Sequence, residues 1–195
     1  SLCDVCEDVV VLDAQSDDGT AEVLAAAVKR HPNLMVYYDG VWDCKPDYRR
    51  LAELTDHAQS YLKTKWHFAL QADEVLHERS HRGLAECCAN RAASGFTVRR
   101  CNLYGDFDHM IGYDVPASRK PCGDAVMRLA LTGIPSYGDG ESLAVPGHLV
   151  DGGFVDKITI YHYGYVREDA SNIRRILDMQ SWYHGTGSIP DGRVL

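Results

Sequence analysis

Residues 9–38 constrain the fold more than any other stretch, because they contain two apolar runs separated by a helical pattern. Residues 9–12 read Val-Val-Val-Leu, a β-branched run suited to a buried strand. Residues 21–30 carry apolar side chains at helical spacing, and Pro32 ends that pattern. A second apolar run follows at residues 34–38. Strands joined by a helix pair in parallel, so the sequence predicts a βαβ unit and an α/β fold with a mostly parallel sheet flanked by helices.

A second stretch, residues 66–76, is an apolar run that ends in two adjacent carboxylates, Asp73 and Glu74. Residues 68–70 lack the polar alternation of a half-exposed strand, which predicts a short strand buried on both faces. Open α/β sheets bind ligands at the carboxyl ends of their strands. The pair is therefore placed to hold a divalent cation against a phosphate-bearing substrate. A surface turn with two solvated acids is the alternative.

The rest of the chain predicts further helices and strands around one long polar region. Helices are predicted over residues 48–63, 77–90 and 171–183, and strands over residues 95–104 and 156–164. Residues 107–153 are dense in Gly, Pro and Asp and are broken by short apolar pieces. We expect loops there, and with them the determinants of binding specificity.

The composition indicates one ordinary globular domain with an acidic charge. A chain of 195 residues is long enough for a single full core. Its formal net charge of -8 argues against a nucleic-acid partner, because neutralising phosphates requires a basic face. No apolar run approaches the ~20 residues of a membrane span, so any membrane association would be peripheral.

The seven cysteines indicate a reducing compartment. They cannot all pair, and no secretion signal precedes them, so we expect a cytoplasmic protein. Cys3 and Cys6 have the spacing of half a zinc site, but no second pair at ligand spacing accompanies them. Buried free thiols are the preferred interpretation.

Three motifs, in order along the chain, resemble those of family 2 glycosyltransferases. Residues 10–20 form an apolar strand, an Asp and a Ser-x-Asp-Gly-Thr turn, similar to the second-strand motif of that family. Residues 70–74, Leu-Gln-Ala-Asp-Glu, resemble its Asp-x-Asp metal motif in the variant that continues with Glu. Residues 160–167 resemble the downstream strand that supplies a His near the metal and the diphosphate. Together the motifs extend the resemblance over about residues 9–182.

The resemblance implies a GT-A fold, which is Rossmann-like and forms a single domain over residues 1–195. Residues 1–76 would bind the nucleotide sugar and residues 77–195 the acceptor. Such enzymes transfer a sugar from a nucleotide diphosphate donor to a hydroxyl of a glycan, lipid or protein. For this chain a UDP-sugar is the expected donor. The resemblance further implies inversion at the sugar and dependence on Mn²⁺ or Mg²⁺.

Site residues follow from the resemblance position by position. Those assigned to donor binding are Asp13, Ser16, Arg50, Gln71 and Asp73, with Asp13 on the base. Asp73 and His162 are assigned to the metal. Two positions depart from the family pattern. Gln71 replaces the first acid of the metal motif, so an amide must make its contact, and Asp56 stands where a helical Asn is frequent.

The acceptor hydroxyl must lose a proton, and a positioned carboxylate supplies ~10²–10⁴-fold in rate for such a step. The candidates are Asp139 first and Glu141 second, in a Gly-flanked acidic loop at residues 136–142. The alternative is a turn in which the Asp side chain only satisfies its own backbone.

Two other functions compete with this interpretation. A nucleotidyltransferase would also use carboxylate-bound Mg²⁺, but it requires an early Gly-rich phosphate loop with a basic residue, and none is present in the sequence. A non-catalytic nucleotide-sugar or protein-binding module is the second alternative, with Gln71 as a sign of lost metal affinity.

The last expectation concerns the strand at residues 9–12. Resembling transferases place a strand and a helix before the equivalent of Val9, whereas eight residues precede it here. We therefore expect that strand to be missing and residues 9–12 to present an unpaired edge. An unpaired apolar edge pairs readily with another chain, which predicts an open groove and self-association into a homo-oligomer.

Overall fold

The amino-terminal βαβ unit is present as predicted. In the computed structural model, which describes residues 2–38, 49–111 and 124–184, the unit comprises β1 (Val9–Leu12), α1 (Thr20–Arg30) and β2 (Leu34–Tyr37). β1 and β2 pair in parallel along their whole length. The predicted crossover and its strand direction are confirmed.

The remaining elements complete an α/β chain. They are α2 (Arg49–Ser60), β3 (Trp66–Phe68), β4 (Glu74–Leu76), α3 (His81–Ala89), β5 (Gly95–Tyr104), β6 (Asp124–Leu131), β7 (Ser136–Tyr137), β8 (Ser142–Leu143), β9 (Asp151–Tyr165) and α4 (Asp169–His184). Two short 3-10 helices lie at Leu2–Asp4 and Glu78–Ser80.

The larger sheet is mixed rather than mainly parallel. Its five strands lie in the order β3-β6-β5-β9-β4, and only β5 and β9 pair in parallel. The other three pairings are antiparallel. The expectation of a mostly parallel sheet is thus wrong for this sheet, and the α/β class is confirmed. Two of the three antiparallel pairings are made by β6, which comes from the region whose Gly and Pro content predicted only loops.

The core of the larger sheet is formed by side chains that alternate along its strands. The most buried side chains are Val98 on β5 and Ile158 and Ile160 on β9, which are 0% exposed. Leu76 on β4 and Leu129 on β6 are 1% exposed. Helix α3 covers this layer with buried Leu84 and Cys87. The sheet is therefore a rigid platform for groups at the ends of β3, β4 and β9.

The strand predicted at residues 68–70 is displaced in the structure. β3 ends at Phe68, a turn follows, and β4 begins at Glu74. Asp73 consequently lies in the turn between two short strands, and Glu74 is the first residue of the second one. The apolar run is long enough for one strand but contains Gln71, whose backbone makes the turn instead.

A groove of about 1460 Å³ separates β1 from β3. β1 hydrogen-bonds only to β2 and β3 only to β6, so each has an edge that no described strand pairs with. The N–H of Val9 donates to the carbonyl of Asn33 and the N–H of Asp13 to the carbonyl of Tyr37, so the N–H groups of Val10 and Leu12 point away from β2. Both strands line the groove along their length. For the described residues, this is the open groove that the sequence predicts.

Candidate functional site

The turn before β4 places Asp73 at one end of the groove. The N–H of Glu74 donates to the carbonyl of Gln71 at 3.0 Å, and the N–H of Gln71 donates back to Oε2 of Glu74 at 2.9 Å. The N–H of Tyr163 on β9 donates to the carbonyl of Asp73 at 2.8 Å. The main chain of the turn is thus fixed from both sides, and the side chains of Asp73 and Gln71 line the groove.

Glu74 is a buried structural carboxylate and not a metal ligand in the groove. Its side chain is fully buried, and its Oε1 lies 2.6 Å from Nη2 of Arg128 and 3.7 Å from Nη1 of Arg100. The sequence placed both acids of the Asp73–Glu74 pair at a cation. That expectation is corrected for Glu74, because its side chain is buried against Arg128 and Arg100, which balance its negative charge.

His162 lies beside Asp73 because β9 pairs with β4. The register sets His162 opposite Glu74, so its ring approaches the preceding residue. Nε2 of His162 lies 3.3 Å from Oδ2 of Asp73, and its Nδ1 lies 2.7 Å from Oδ1 of Asn102 on β5. The two residues predicted to share a metal are therefore brought together.

A cation on α4 completes this cluster. Arg175 donates from Nη2 to Oδ2 of Asp73 at 3.3 Å and from Nη1 to the carbonyl of Gly164 at 2.6 Å. Arg167 and Arg174 line the same groove. In a chain of net charge -8, three arginines along one wall form a local basic surface suited to phosphate oxygens.

The charge on Asp73 is maintained by its neighbours. Burial alone would raise the pKa of this carboxyl group, but hydrogen bonds and charges from His162 and Arg175 outweigh burial and lower the pKa to about 2. Asp73 is therefore ionised at any physiological pH and can act as a ligand for a cation.

Gly164 permits the close approach of Asp73 and His162. A Cβ atom at this position would lie 2.4 Å from Nε2 of His162 and 2.7 Å from Oδ2 of Asp73. Real side chains essentially never approach so closely, so any larger residue would push the two groups apart. The glycine is required here by space.

Asp13 and Ser16, at the carboxyl end of β1, line the same groove. Oδ1 of Asp13 accepts hydrogen bonds from the N–H of Ser16 at 3.1 Å and from its Oγ at 2.6 Å. Gln15 between them has a φ of 65°, an uncommon left-handed value for a residue other than Gly. Both residues of this predicted motif therefore share a groove with Asp73 and His162.

Arg50 and Asp56, both on α2, are not among the described residues that line the groove. Arg50 pairs with Glu53 at 2.9 Å. Its assignment to donor binding stays a prediction. Asp56 accepts the N–H of Ser136 at 2.8 Å, so it connects α2 to β7.

The two candidate bases lie on the groove, in the loop between β7 and β8. Oδ1 of Asp139 accepts the N–H of Glu141 at 3.1 Å, which is the backbone-satisfying turn that the sequence left open. Oε2 of Glu141 accepts from Nη2 of Arg100 at 3.3 Å. Because Arg100 also lies near Glu74, it connects this loop to the turn that carries Asp73.

The distance between the ligand atoms of Asp73 and His162 suits a divalent cation bound to both. Two adjacent ligands at ~2.1 Å from an octahedral ion lie ~3 Å apart, close to the 3.3 Å found here. Within residues 2–38, 49–111 and 124–184, no group of three or more His, Cys, Asp or Glu residues could hold a metal. The protein would supply two ligands, and a phosphate-bearing ligand and water would supply the others. Cys3 and Cys6 are free thiols.

Several residues of the cluster were not predicted from the sequence. They are Asn102, Gly164, Arg167, Arg174 and Arg175. The adjacent arginines on the last helix, directly after the strand that carries His162, are the signal that could have indicated them. The helix was instead interpreted by its apolar residues alone.

Comparison of the chain with models of protein families and with curated proteins finds no match in either set. In the described part of the chain, no helix combines the length and apolar character needed to cross a membrane.

Proposed function

We propose that this chain is a glycosyltransferase of the family 2 type, with a GT-A fold, that transfers a sugar from a nucleotide diphosphate to an acceptor hydroxyl with inversion. The observation that carries the proposal is the convergence of Asp73, His162 and Arg175 at one end of the groove. Asp13 lines the same groove. A carboxylate, an imidazole and a guanidinium together suit a cation and the diphosphate that it binds.

The groove offers different chemistry to the two parts of such a donor. The Asp13–Ser16 turn supplies a buried carboxylate for the N–H groups of a base, with UDP as the first nucleotide to test. Arg167, Arg174 and Arg175 supply donors for phosphate oxygens. The groove therefore has the polarity that a nucleotide diphosphate requires.

Departure of the nucleotide diphosphate requires that its growing negative charge be neutralised. Mn²⁺ or Mg²⁺ held by Asp73 and His162 would supply Lewis-acid stabilisation there, with the imidazole favouring Mn²⁺. Arg175 is held against Asp73 and the carbonyl of Gly164, so its guanidinium is positioned before a ligand arrives. Positioned charge of this kind needs no rearrangement during the reaction.

The acceptor must lose its proton on the side of the sugar opposite the leaving group. Asp139 and Glu141 are the carboxylates of the β7–β8 loop on the groove. The carboxylate of Glu141 is engaged in an ion pair with Arg100. Asp139 therefore remains the first candidate for general base and Glu141 the second.

A non-catalytic nucleotide-sugar-binding module is the second candidate function. Gln71 lines the groove where the resembling enzymes carry an acid, and the protein supplies two metal ligands. A nucleotidyltransferase is less well supported, because no glycine lies among the described residues of the groove lining. Phosphates bound there would contact side chains and not a Gly-rich loop.

Calorimetric titration with UDP, with and without Mn²⁺, separates these functions. Metal-dependent UDP binding followed by slow hydrolysis of one sugar nucleotide from a panel supports the transferase. Metal-indifferent binding without hydrolysis of any donor supports the binding module. Absence of UDP binding under both conditions, together with no donor hydrolysis, contradicts the proposed function.

A further inference from the structure

Four polar side chains form a continuous line across the larger sheet into the groove. Nδ2 of Asn102 lies 2.9 Å from Oδ2 of Asp124, and Oδ1 of Asn102 lies 2.7 Å from Nδ1 of His162. Nε2 of His162 then lies 3.3 Å from Oδ2 of Asp73. Asn102 is 3% exposed and His162 is 6% exposed, so the centre of the line is shielded from water.

The direction of each hydrogen bond in this line follows from Asp124. An ionised carboxylate can only accept, so the Asn102 amide must turn its NH₂ group toward Asp124. The carbonyl oxygen of Asn102 then faces His162, and a carbonyl oxygen can also only accept. Nδ1 of His162 must therefore carry a hydrogen.

The consequence appears at the other ring nitrogen. In the neutral ring, a hydrogen on Nδ1 leaves a lone pair on Nε2, and this lone pair faces the carboxylate of Asp73. In that neutral state two acceptors 3.3 Å apart repel each other unless a cation lies between them, either a second ring proton, which lets His162 donate to Asp73, or a metal ion. The arrangement is thus complementary to a positive ion.

We propose that Asn102, oriented by Asp124, is a positioning residue that holds the His162 ring with the Nε2 lone pair beside Asp73. The inference rests on the proposed function for the identity of the cation, a divalent metal bound with a nucleotide diphosphate. Hydrogen-bonded partners behind a ligating imidazole fix its tautomer and orientation, and their loss costs 10–100-fold in metal affinity.

The tautomer can be measured on the wild-type protein without metal or donor. Two-bond ¹H–¹⁵N correlation spectra of the histidine rings, at a pH where His162 is neutral and assigned with His162→Gln, report which nitrogen carries the hydrogen. We expect the Nδ1–H form. A neutral ring with hydrogen on Nε2 would overturn the proposal, whether or not the protein binds a sugar nucleotide.

Substitution of Asn102, and then exchange of the Asn102 and Asp124 side chains, tests the role of Asn102 in metal binding. In Asn102→Leu the acceptor is lost, and Mn²⁺ affinity in the presence of UDP, measured by electron paramagnetic resonance of free Mn²⁺, should fall 10–100-fold. The double variant Asn102→Asp, Asp124→Asn restores an acceptor for Nδ1 and a donor between positions 102 and 124. We expect it to recover most of the lost affinity.

The outcomes separate this inference from the function on which it rests. Unchanged Mn²⁺ affinity in Asn102→Leu, or a double variant no better than Asn102→Leu, overturns the role of Asn102. If the wild type binds no Mn²⁺ with UDP, the proposed function fails, and the tautomer measurement still decides whether Asn102 orients His162. Thermal unfolding shows whether Asn102→Leu folds. If it does not fold, the tautomer measurement on the wild type still tests the role of Asn102.

Discussion

Glu74 and Arg128 form a fully buried ion pair, with Oε1 and Nη2 2.6 Å apart, directly behind the turn that presents Asp73 to the groove. Arg100 lies 3.7 Å from the same oxygen and also contacts Glu141. Two buried cations and one buried anion thus support the turn and the loop of the candidate bases. Because the N–H of Gln71 donates to Glu74 as well, the ion pair fixes the geometry of the turn that carries Asp73.

Glu74→Gln should reduce the free energy of unfolding strongly. The substitution leaves Arg128 buried without its counter-charge, a change that costs roughly 3–5 kcal/mol. Urea denaturation measures the loss. Glu86→Gln is the matched control, since Glu86 pairs with Arg82 and Lys157 on the surface, where solvent screens ion pairs and they contribute little to stability. Equal losses in the two variants would contradict a structural role for the buried pair.

Asp73→Asn should abolish the Mn²⁺ dependence of UDP binding while the protein stays folded. The side chain lies in a turn and is 33% exposed rather than part of the core, so we expect the variant to lose some stability but to stay folded. Titration calorimetry with UDP and Mn²⁺ is the measurement, and Asp108→Asn, at an exposed acid, is the control. His162→Ala should weaken the same binding less, because water and phosphate oxygens can replace one ligand. Wild-type metal-dependent affinity in Asp73→Asn would refute the site.

The sequence predicted the parts of this molecule that depend on local patterns. The βαβ unit follows from apolar runs and helical spacing, and the positions of Asp13 and Asp73 follow from the ends of those runs. Sheet order depends on long-range pairing, which is why the antiparallel strand β6 was not recognised in a Gly-rich region. The roles of Glu74 and Gly164 depend on contacts with residues far away in the chain, and no local pattern encodes them.

The predicted division of the chain into a donor part, residues 1–76, and an acceptor part, residues 77–195, also follows only the order of motifs along the chain. His162 and Arg175 lie late in the sequence, yet they complete the cluster around Asp73. β9 carries His162 to the Asp73 turn because it pairs with β4 on one side and β5 on the other. The motif order along the chain predicted the meeting of Asp73 and His162, whereas Arg175 required the position of α4.

Gly164→Ala should impair Mn²⁺-dependent UDP binding more than the fold. The new Cβ would meet the ends of two side chains, Asp73 and His162, which must separate to make room. We expect UDP affinity in the presence of Mn²⁺ to fall at least about tenfold, in line with the loss of positioned ligands. Gly147→Ala is the control, because a Cβ there meets nothing within 4 Å and no left-handed φ is involved. Equal UDP affinity in the two variants would show that the Asp73–His162 spacing is not important.

Asp139→Asn should abolish sugar transfer while donor affinity stays near that of the wild type. A general base acts on the acceptor in the transition state, and its loss lowers the rate by ~10²–10⁴-fold. Transfer rates and UDP affinity, measured on the same preparations, separate the two effects. If Glu141→Gln is inactive and Asp139→Asn is active, the two roles exchange. Full transfer by both variants would make the loop purely structural.

The open edges of β1 and β3 predict concentration-dependent self-association. The apolar groove between them presents backbone N–H and C=O groups that no described strand pairs with. Unpaired edges of this kind recruit strands from other chains. Sedimentation velocity over a range of concentrations should therefore show oligomers in equilibrium with the monomer.

Two proline variants of β1 test whether the edge causes the association. The N–H of Val10 faces away from β2, on the open edge of β1, so Val10→Pro removes an edge donor and leaves the N–H bonds between β1 and β2 in place. Val11→Pro removes an N–H that faces β2 and should destabilise the βαβ unit instead. We expect Val10→Pro to shift the equilibrium toward monomer with little loss of thermal stability. Association that is unchanged in Val10→Pro would place the contact on another surface, because an added strand must bond to this edge.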